Sequence, residues 1–217
     1  MNLDWRWIGN NTGEIGSLLG QHVLLSVIPV LAALVLALPL GYLVHRTGKG
    51  ANPILAVLGV VYSIPSLALF VALPLLLRTQ ILSPVNVAVA LTIYSVALLV
   101  RSVVDGLRSV PADVKQSASA VGFSRFGRLV KVELPLAMPV VFAGLRVVTV
   151  SNIALVTVAV LVASGGLGQL FLRAYNSIFY TPLIVGLVLT VLLALVADGI
   201  ILVVQRGTLP WVRRQRA

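Results

Sequence analysis

The chain contains no cysteine, only two histidines and only six acidic residues. Without cysteine there is no disulfide, no thiolate metal site and no cysteine nucleophile. His22 and His45 are far apart in sequence and form no metal-binding signature; each is expected at a membrane interface, at a helix start and a helix end respectively. Charge of either sign is scarce, at 10% of residues, whereas a soluble domain carries about 25%. A chain that is 59% hydrophobic cannot solvate a surface with so few charges. Its mean hydropathy of +1.06 makes lipid the solvent that fits.

Five stretches lack Lys, Arg, Asp and Glu: between Glu14 and Arg46, Lys49 and Arg78, Arg78 and Arg101, Arg146 and Arg173, and Arg173 and Asp198. Each is long enough for the ~20 helical residues that cross a hydrocarbon core. They are solidly apolar rather than alternating, which selects helices over barrel strands. The expected spans are His22–Val44, Pro53–Leu77, Val85–Val104, Val147–Val162 and Leu183–Val204. The fold class is therefore an all-α integral membrane protein with about five transmembrane helices. Residues 1–20 read as an extracytoplasmic lead-in, 20–204 as the transmembrane domain with a long loop at 105–135, and 205–217 as a basic cytoplasmic tail. The first span is not expected to be a signal peptide, having no basic leader, excess length and no small-residue cleavage site.

With five spans, one side of the membrane holds Arg46, Lys49, Arg108, Lys115, Arg125, Arg128, Lys131, Arg206, Arg213, Arg214 and Arg216, with Arg101 at its edge. The other side holds Arg6, Arg78 and Arg173. The positive-inside rule assigns the first set to the cytoplasm, with the N-terminus outside and the C-terminus inside. The net charge of +10 is thus an orientation signal, and no nucleic-acid partner is expected.

Prolines 29, 39, 65 and 74 interrupt the first two spans. Around Pro65, Tyr62, Ser63 and Ser66 put polar groups near mid-span, where they are costly unless they face protein or water. Tyr94 and Ser95 lie at similar depth in the third span. In the fourth, Arg146, Thr149 and Asn152 recur every third residue along one face. Helix–helix hydrogen bonding explains any one of these. Together Tyr62, Ser63, Ser66, Tyr94, Thr149 and Asn152 are the candidate lining of a polar path. Arg146 and Asp198 are expected near the inner boundary, where long side chains reach water. There are no paired carboxylates, no nucleophile–base set and no Gly-rich Lys-Ser/Thr loop, so neither an embedded enzyme nor a nucleotide site is read in this chain.

The loop is the most specific feature. After Pro111, Ala112 to Val121 favours helix, with Asp113 in the first turn. Gly122 is placed to end it, and Arg125, Arg128 and Lys131 follow at three-residue intervals on a second short helix. Leu134-Pro135 is expected to break that helix before the chain re-enters the membrane. Such a surface helix pair rests on anionic lipid or docks into another protein.

Spacing bears on that choice. Gln116-Ser117-Ala118, Gly122, Val132 and Leu134-Pro135 resemble the signature of ATP-binding-cassette importer permeases: Glu-Ala-Ala, three residues, Gly, nine residues, Ile-x-Leu-Pro. Gln116 stands where that family has glutamate and Ser117 where it has alanine. The stretches His22-Val23-Leu24-Leu25-Ser26, Leu38-Pro39-Leu40-Gly41, Ile64-Pro65-Ser66-Leu67-Ala68-Leu69, Ala143-Gly144-Leu145-Arg146 and Ala163-Ser164-Gly165-Gly166-Leu167-Gly168 resemble the glycine betaine, carnitine and choline branch. Methionine-type permeases share the Gly-Gly-Leu-Gly ending, which keeps a same-fold amino-acid permease as the alternative. A secondary transporter would call for intramembrane carboxylates, of which only Asp198 offers itself.

The resemblance implies the type I importer permease fold, MetI-like, in a bacterial inner membrane. It implies a second permease chain, a cytoplasmic ATPase dimer that holds the ATP and Mg, and an extracytoplasmic solute-binding protein. This chain then needs no cofactor of its own, and as read here, ending at Ala217, it is not expected to carry an appended binding domain. Gln116, Ser117, Ala118, Gly122, Leu134 and Pro135 would couple to the ATPase through a helix over 112–127, with Ala118 and Gly122 on one face. The sparse aromatics, 6% of residues with Tyr62 and Tyr94 read as isolated, imply that the binding protein rather than the path selects the solute.

Overall fold

The computed structural model describes residues 3–81, 83–162 and 165–211, and the regular structure among them is all helical. The helices are α1 (Trp5–Asn10), α2 (Thr12–Arg46), α3 (Ala51–Ser63), α4 (Ser66–Leu77), α5 (Pro84–Ser109), α6 (Ala112–Ala120), α7 (Arg125–Arg128), α8 (Leu134–Ala159), α9 (Gly168–Ser177) and α10 (Tyr180–Thr208). Many of these segments are rich in valine, a modest helix former in water. Hydrocarbon offers the backbone no other hydrogen-bond partner, so the helix closes on itself regardless. Among the described residues, four segments are long and apolar enough to span a membrane, and a bent pair makes up to five. Ala163, Ser164, Arg213, Arg214 and Arg216 lie outside the described residues.

The second expected span is not one straight helix. Gly48–Ser63 and Ser66–Leu77 meet at 94°. Pro65 causes the break: it disfavours helical geometry at Ile64 and has no N–H to donate, and it adopts ψ 128° as the residue before α4. Ser63 Oγ donates to Val60 O at 2.8 Å, satisfying a carbonyl at the frayed end. The other prolines do not break anything. Pro29 and Pro39 lie within α2 and Pro74 within α4.

The fourth span also departs from expectation, because Leu134-Pro135 does not end a helix. The chain runs helical from Arg125 to Ala159 through one π-helical turn, Leu129–Glu133. There the Leu134 N–H reaches back to Leu129 O, so the bonding shifts by one residue just where Pro135 has no N–H to give. Arg146 consequently stands well inside α8, twelve residues beyond Leu134, and not at a helix boundary.

The chain divides into two compact units. Unit 1 comprises Met1–Ala32, Ile64–Ile93 and Thr149–Asp198; unit 2 comprises Ala33–Ser63, Tyr94–Val148 and Gly199–Ala217. Unit 1 has a core of Phe70, Leu73, Val87, Ala90, Leu91, Val156 and Ala159, and a second cluster of Leu18, Leu167 and Leu170. Unit 2 is built around Val103, Leu107, Val110, Leu129, Ala137 and Val141. Small residues set its density: a Cβ at Gly41 would lie 2.6 Å from that of Val103, and one at Gly106 would lie 2.9 Å from Ala137 O. Of the residues in the hydrophobic stretch of α5, 56% are buried, whereas none in that of α10 is more than half-buried. In a membrane, such a bare apolar side is no defect, because lipid can solvate it.

Candidate functional site

The loop at 105–135 is a clamped helix–turn–helix. Pro111 precedes α6, and Lys115 Nζ donates to Leu107 O at 3.0 Å, tying α6 to the last turns of α5. At its other end α6 closes in a Schellman motif. Phe123 N–H bonds Ala118 O and Gly122 N–H bonds Ser119 O, both at 3.1 Å, with Gly122 at φ +92°. Ser124 then caps α7 by accepting from the Gly127 N–H at 3.1 Å. Arg128 locks the pieces together, its NH1 donating to Ser119 Oγ at 2.6 Å and its Nε to Glu133 Oε1 at 2.7 Å. The π turn brings Glu133, five positions on, within that reach.

This geometry revises the expected single helix over 112–127. Gly122 does not share a face with Ala118; it is the left-handed residue that turns the chain. Ala118 is buried, Gln116, Ser117 and Gly122 are exposed, and Leu134 and Pro135 are half-buried. The outward tip consists of residues that sequence reasoning passed over: Val121 is 79% exposed, Phe126 73% and Phe123 39%. Bulky apolar side chains in a loop otherwise rich in Ser, Lys and Arg were the available signal.

The polar-path candidates separate between the two units. In unit 2, Tyr62 and Tyr94 are not isolated but stack edge to face, ring centroids 5.8 Å apart. Tyr62 is 40% exposed and Tyr94 is buried. Ser63 is exposed beside Tyr62. In unit 1, Ser66 is half-buried, and Thr149 and Asn152 are buried three residues apart on α8. Tyr94, Thr149 and Asn152 all have interaction partners.

His22 is buried within unit 1. Its Nδ1 accepts from Leu167 N–H at 3.1 Å, which leaves Nε2 to carry the proton and donate to Ile153 O at 3.0 Å. Beside it Gln21 Oε1 accepts from Gly166 N–H at 3.2 Å. These bonds pin the glycine turn 165–167 to α2 and α8, and Gly165 and Gly166 take the positive φ values that the turn requires. Arg173 on α9, a helix that the spans did not foresee, makes a two-pronged pair with Glu14 at 2.6 and 2.9 Å.

A sequence profile described as "binding-protein-dependent transport system inner membrane component" matches residues 30–209. The chain belongs to this family. It is thus a multi-pass membrane component of a transport system rather than an enzyme. Among its relatives, the osmoprotectant import permease protein OsmW of Salmonella typhimurium is 34% identical, over 88% of this chain and 90% of its own length. The glycine betaine/carnitine/choline transport system permease protein OpuCB of Bacillus subtilis is 31% identical, over 97% of this chain and 95% of its own. In fold the chain is similar to a chain of the inward-facing MetNI methionine ABC transporter. The TM-score is 0.75 at 24% identity, over 87% of this chain and 93% of that one. A chain of an amino acid ABC transporter crystallised with histidines gives 0.75 at 15% identity, over 95% of this chain and all of that one. The type I importer permease architecture is therefore the fold of this family member.

Proposed function

We propose that this permease carries a quaternary ammonium osmoprotectant, of the glycine betaine, carnitine or choline type, into the cell at the expense of ATP hydrolysed by a separate subunit. The observation that carries the coupling half of this reading is the α6–α7 tip. A loop braced by Lys115, Arg128 and a Schellman turn holds Val121 and Phe126 out in the open, where burial by a partner would return the hydrophobic free energy that exposure forgoes. The partner is a cytoplasmic ATPase dimer that binds the ATP and Mg, working on two permease chains and supplied by an extracytoplasmic binding protein. The solute class is supported by the names of relatives that align along nearly the whole chain.

Orientation follows from charge. The loops that hold Arg46, Lys49, Arg108, Lys115, Arg125, Arg128 and Lys131 are assigned to the cytoplasmic side, with the N-terminus outside and the C-terminus inside. The Tyr62–Tyr94 pair offers an aromatic edge and face of the kind that a quaternary ammonium passes by cation–π attraction, without the enclosure that a selective cage needs. The test is uptake into proteoliposomes containing the purified permease with its ATPase and binding protein. Labelled glycine betaine or choline should accumulate only with ATP, and excess methionine should not compete. Competition by methionine at equal concentration would overturn the solute assignment, and uptake without an ATPase would overturn the coupling.

A further inference from the structure

Unit 2 has a cavity of about 750 Å³ lined by Tyr42, His45, Arg46, Arg125, Phe126, Arg128, Leu129 and Glu133. Its charges are not balanced. Arg128 and Glu133 neutralise each other at 2.7 Å, and the lining has no second carboxylate for Arg46 or Arg125. Among the described residues neither of these arginines is in an ion pair; Arg46 only lies over the Tyr42 ring at 5.8 Å.

We infer that this cavity binds a net-negative phosphate group. Arg46 and Arg125 supply the charge and the N–H forks. The source that fits is the phosphodiester of an anionic membrane lipid. The cavity lies against the last turn of the membrane helix α2, where a span meets the headgroup layer, and Phe126 adds an apolar rim. Occupancy would fasten the start of α7, and with it the α6–α7 tip, to the headgroup layer.

The test titrates the full-length permease, purified in neutral detergent, with phosphatidylglycerol, phosphatidylethanolamine and inorganic phosphate, reading bound lipid by native mass spectrometry. Phosphatidylglycerol should bind about tenfold or more tightly than zwitterionic phosphatidylethanolamine. The double variant Arg46→Gln/Arg125→Gln should abolish that preference, while Lys49→Gln, outside the cavity, should change it less than about twofold. If the double variant does not purify, Arg125→Gln alone, at an exposed position, carries the same test with a smaller loss. Displacement of the lipid by millimolar inorganic phosphate would identify the site with the free anion, and resistance to it with the intact headgroup; either supports a phosphate site. Equal affinity for the two lipids, or unchanged preference in the variants, overturns it. So does a double variant that keeps its lipid preference but loses the co-purifying ATPase, since the two arginines would then serve a protein carboxylate.

Discussion

Unit 1 carries three basic and three acidic residues, whereas unit 2 carries thirteen basic and three acidic. The polar groups of unit 1 are consumed internally. Glu14 answers Arg173, Asp4 N–H donates to Thr181 Oγ1 at 3.1 Å, and Gln21 and His22 hold the backbone of the glycine turn. Unit 2 keeps a surplus. Arg128 and Lys115 brace the loop from within, and Arg46 and Arg125 are left to face something outside the chain. The lesson is that hydrogen bonds in unit 1 serve the fold, while charge and exposed apolar surface in unit 2 serve partners. Substitutions should therefore separate cleanly, with stability read in the first and association in the second.

The largest expected effect tests the association side. Val121→Asp with Phe126→Asp should leave membrane insertion and thermal stability unchanged, because both side chains are already in water. It should weaken ATPase co-purification about a hundredfold or more, since burying unpaired charge costs several kcal/mol at 1.4 kcal/mol per decade. An ATPase that still co-purifies with near-normal uptake would place the partner surface elsewhere.

Next in size is a contrast of one methyl group within unit 2. Gly106→Ala drives a Cβ to 2.9 Å from the Ala137 backbone oxygen, which cannot rotate away, and should cost ~1–3 kcal/mol. Gly199→Ala meets nothing within 4 Å and should change stability by less than ~1 kcal/mol, in the stabilising direction. Equal melting temperatures for the two variants would show that α5 and α8 are not packed as described.

On the stability side, His22→Phe should cost ~2 kcal/mol by orphaning Leu167 N–H and Ile153 O, with ATPase association intact. Loss of ATPase binding at unchanged melting temperature would break the division between the units. The smallest effect is expected at Ile178, a β-branched residue held at φ +50° after α9. Ile178→Gly should stabilise by ~1 kcal/mol, measurable as a small rise in melting temperature.

Much of this was legible in the chain itself, for a specific reason. Hydrocarbon tolerates no unpaired backbone, so uninterrupted apolar runs had to be helices, and α2, α5 and α10 contain the spans expected of them. Gly122 was readable as a helix stop, because a glycine after a run of helix formers is the usual left-handed cap. Proline was less informative. Pro65 breaks its helix while Pro29, Pro39, Pro74 and Pro135 do not, because the outcome depends on whether the freed carbonyl finds another donor or the bonding can shift by one residue, as in the π turn.

Side-chain partners were the least legible. His22 looked interfacial by its position near a helix start, and only the return of the glycine turn, 145 residues later, buries it and uses both ring nitrogens. Tyr62 and Tyr94 looked isolated, and only the packing within unit 2 sets their rings edge to face. Composition, charge asymmetry and loop spacing belong to the sequence, because lipid solvation and the positive-inside bias act on each segment locally. Which polar groups are spent inside the chain and which remain for a ligand or a partner belongs to the tertiary structure, because hydrogen bonds are satisfied between atoms that only the folded chain brings together.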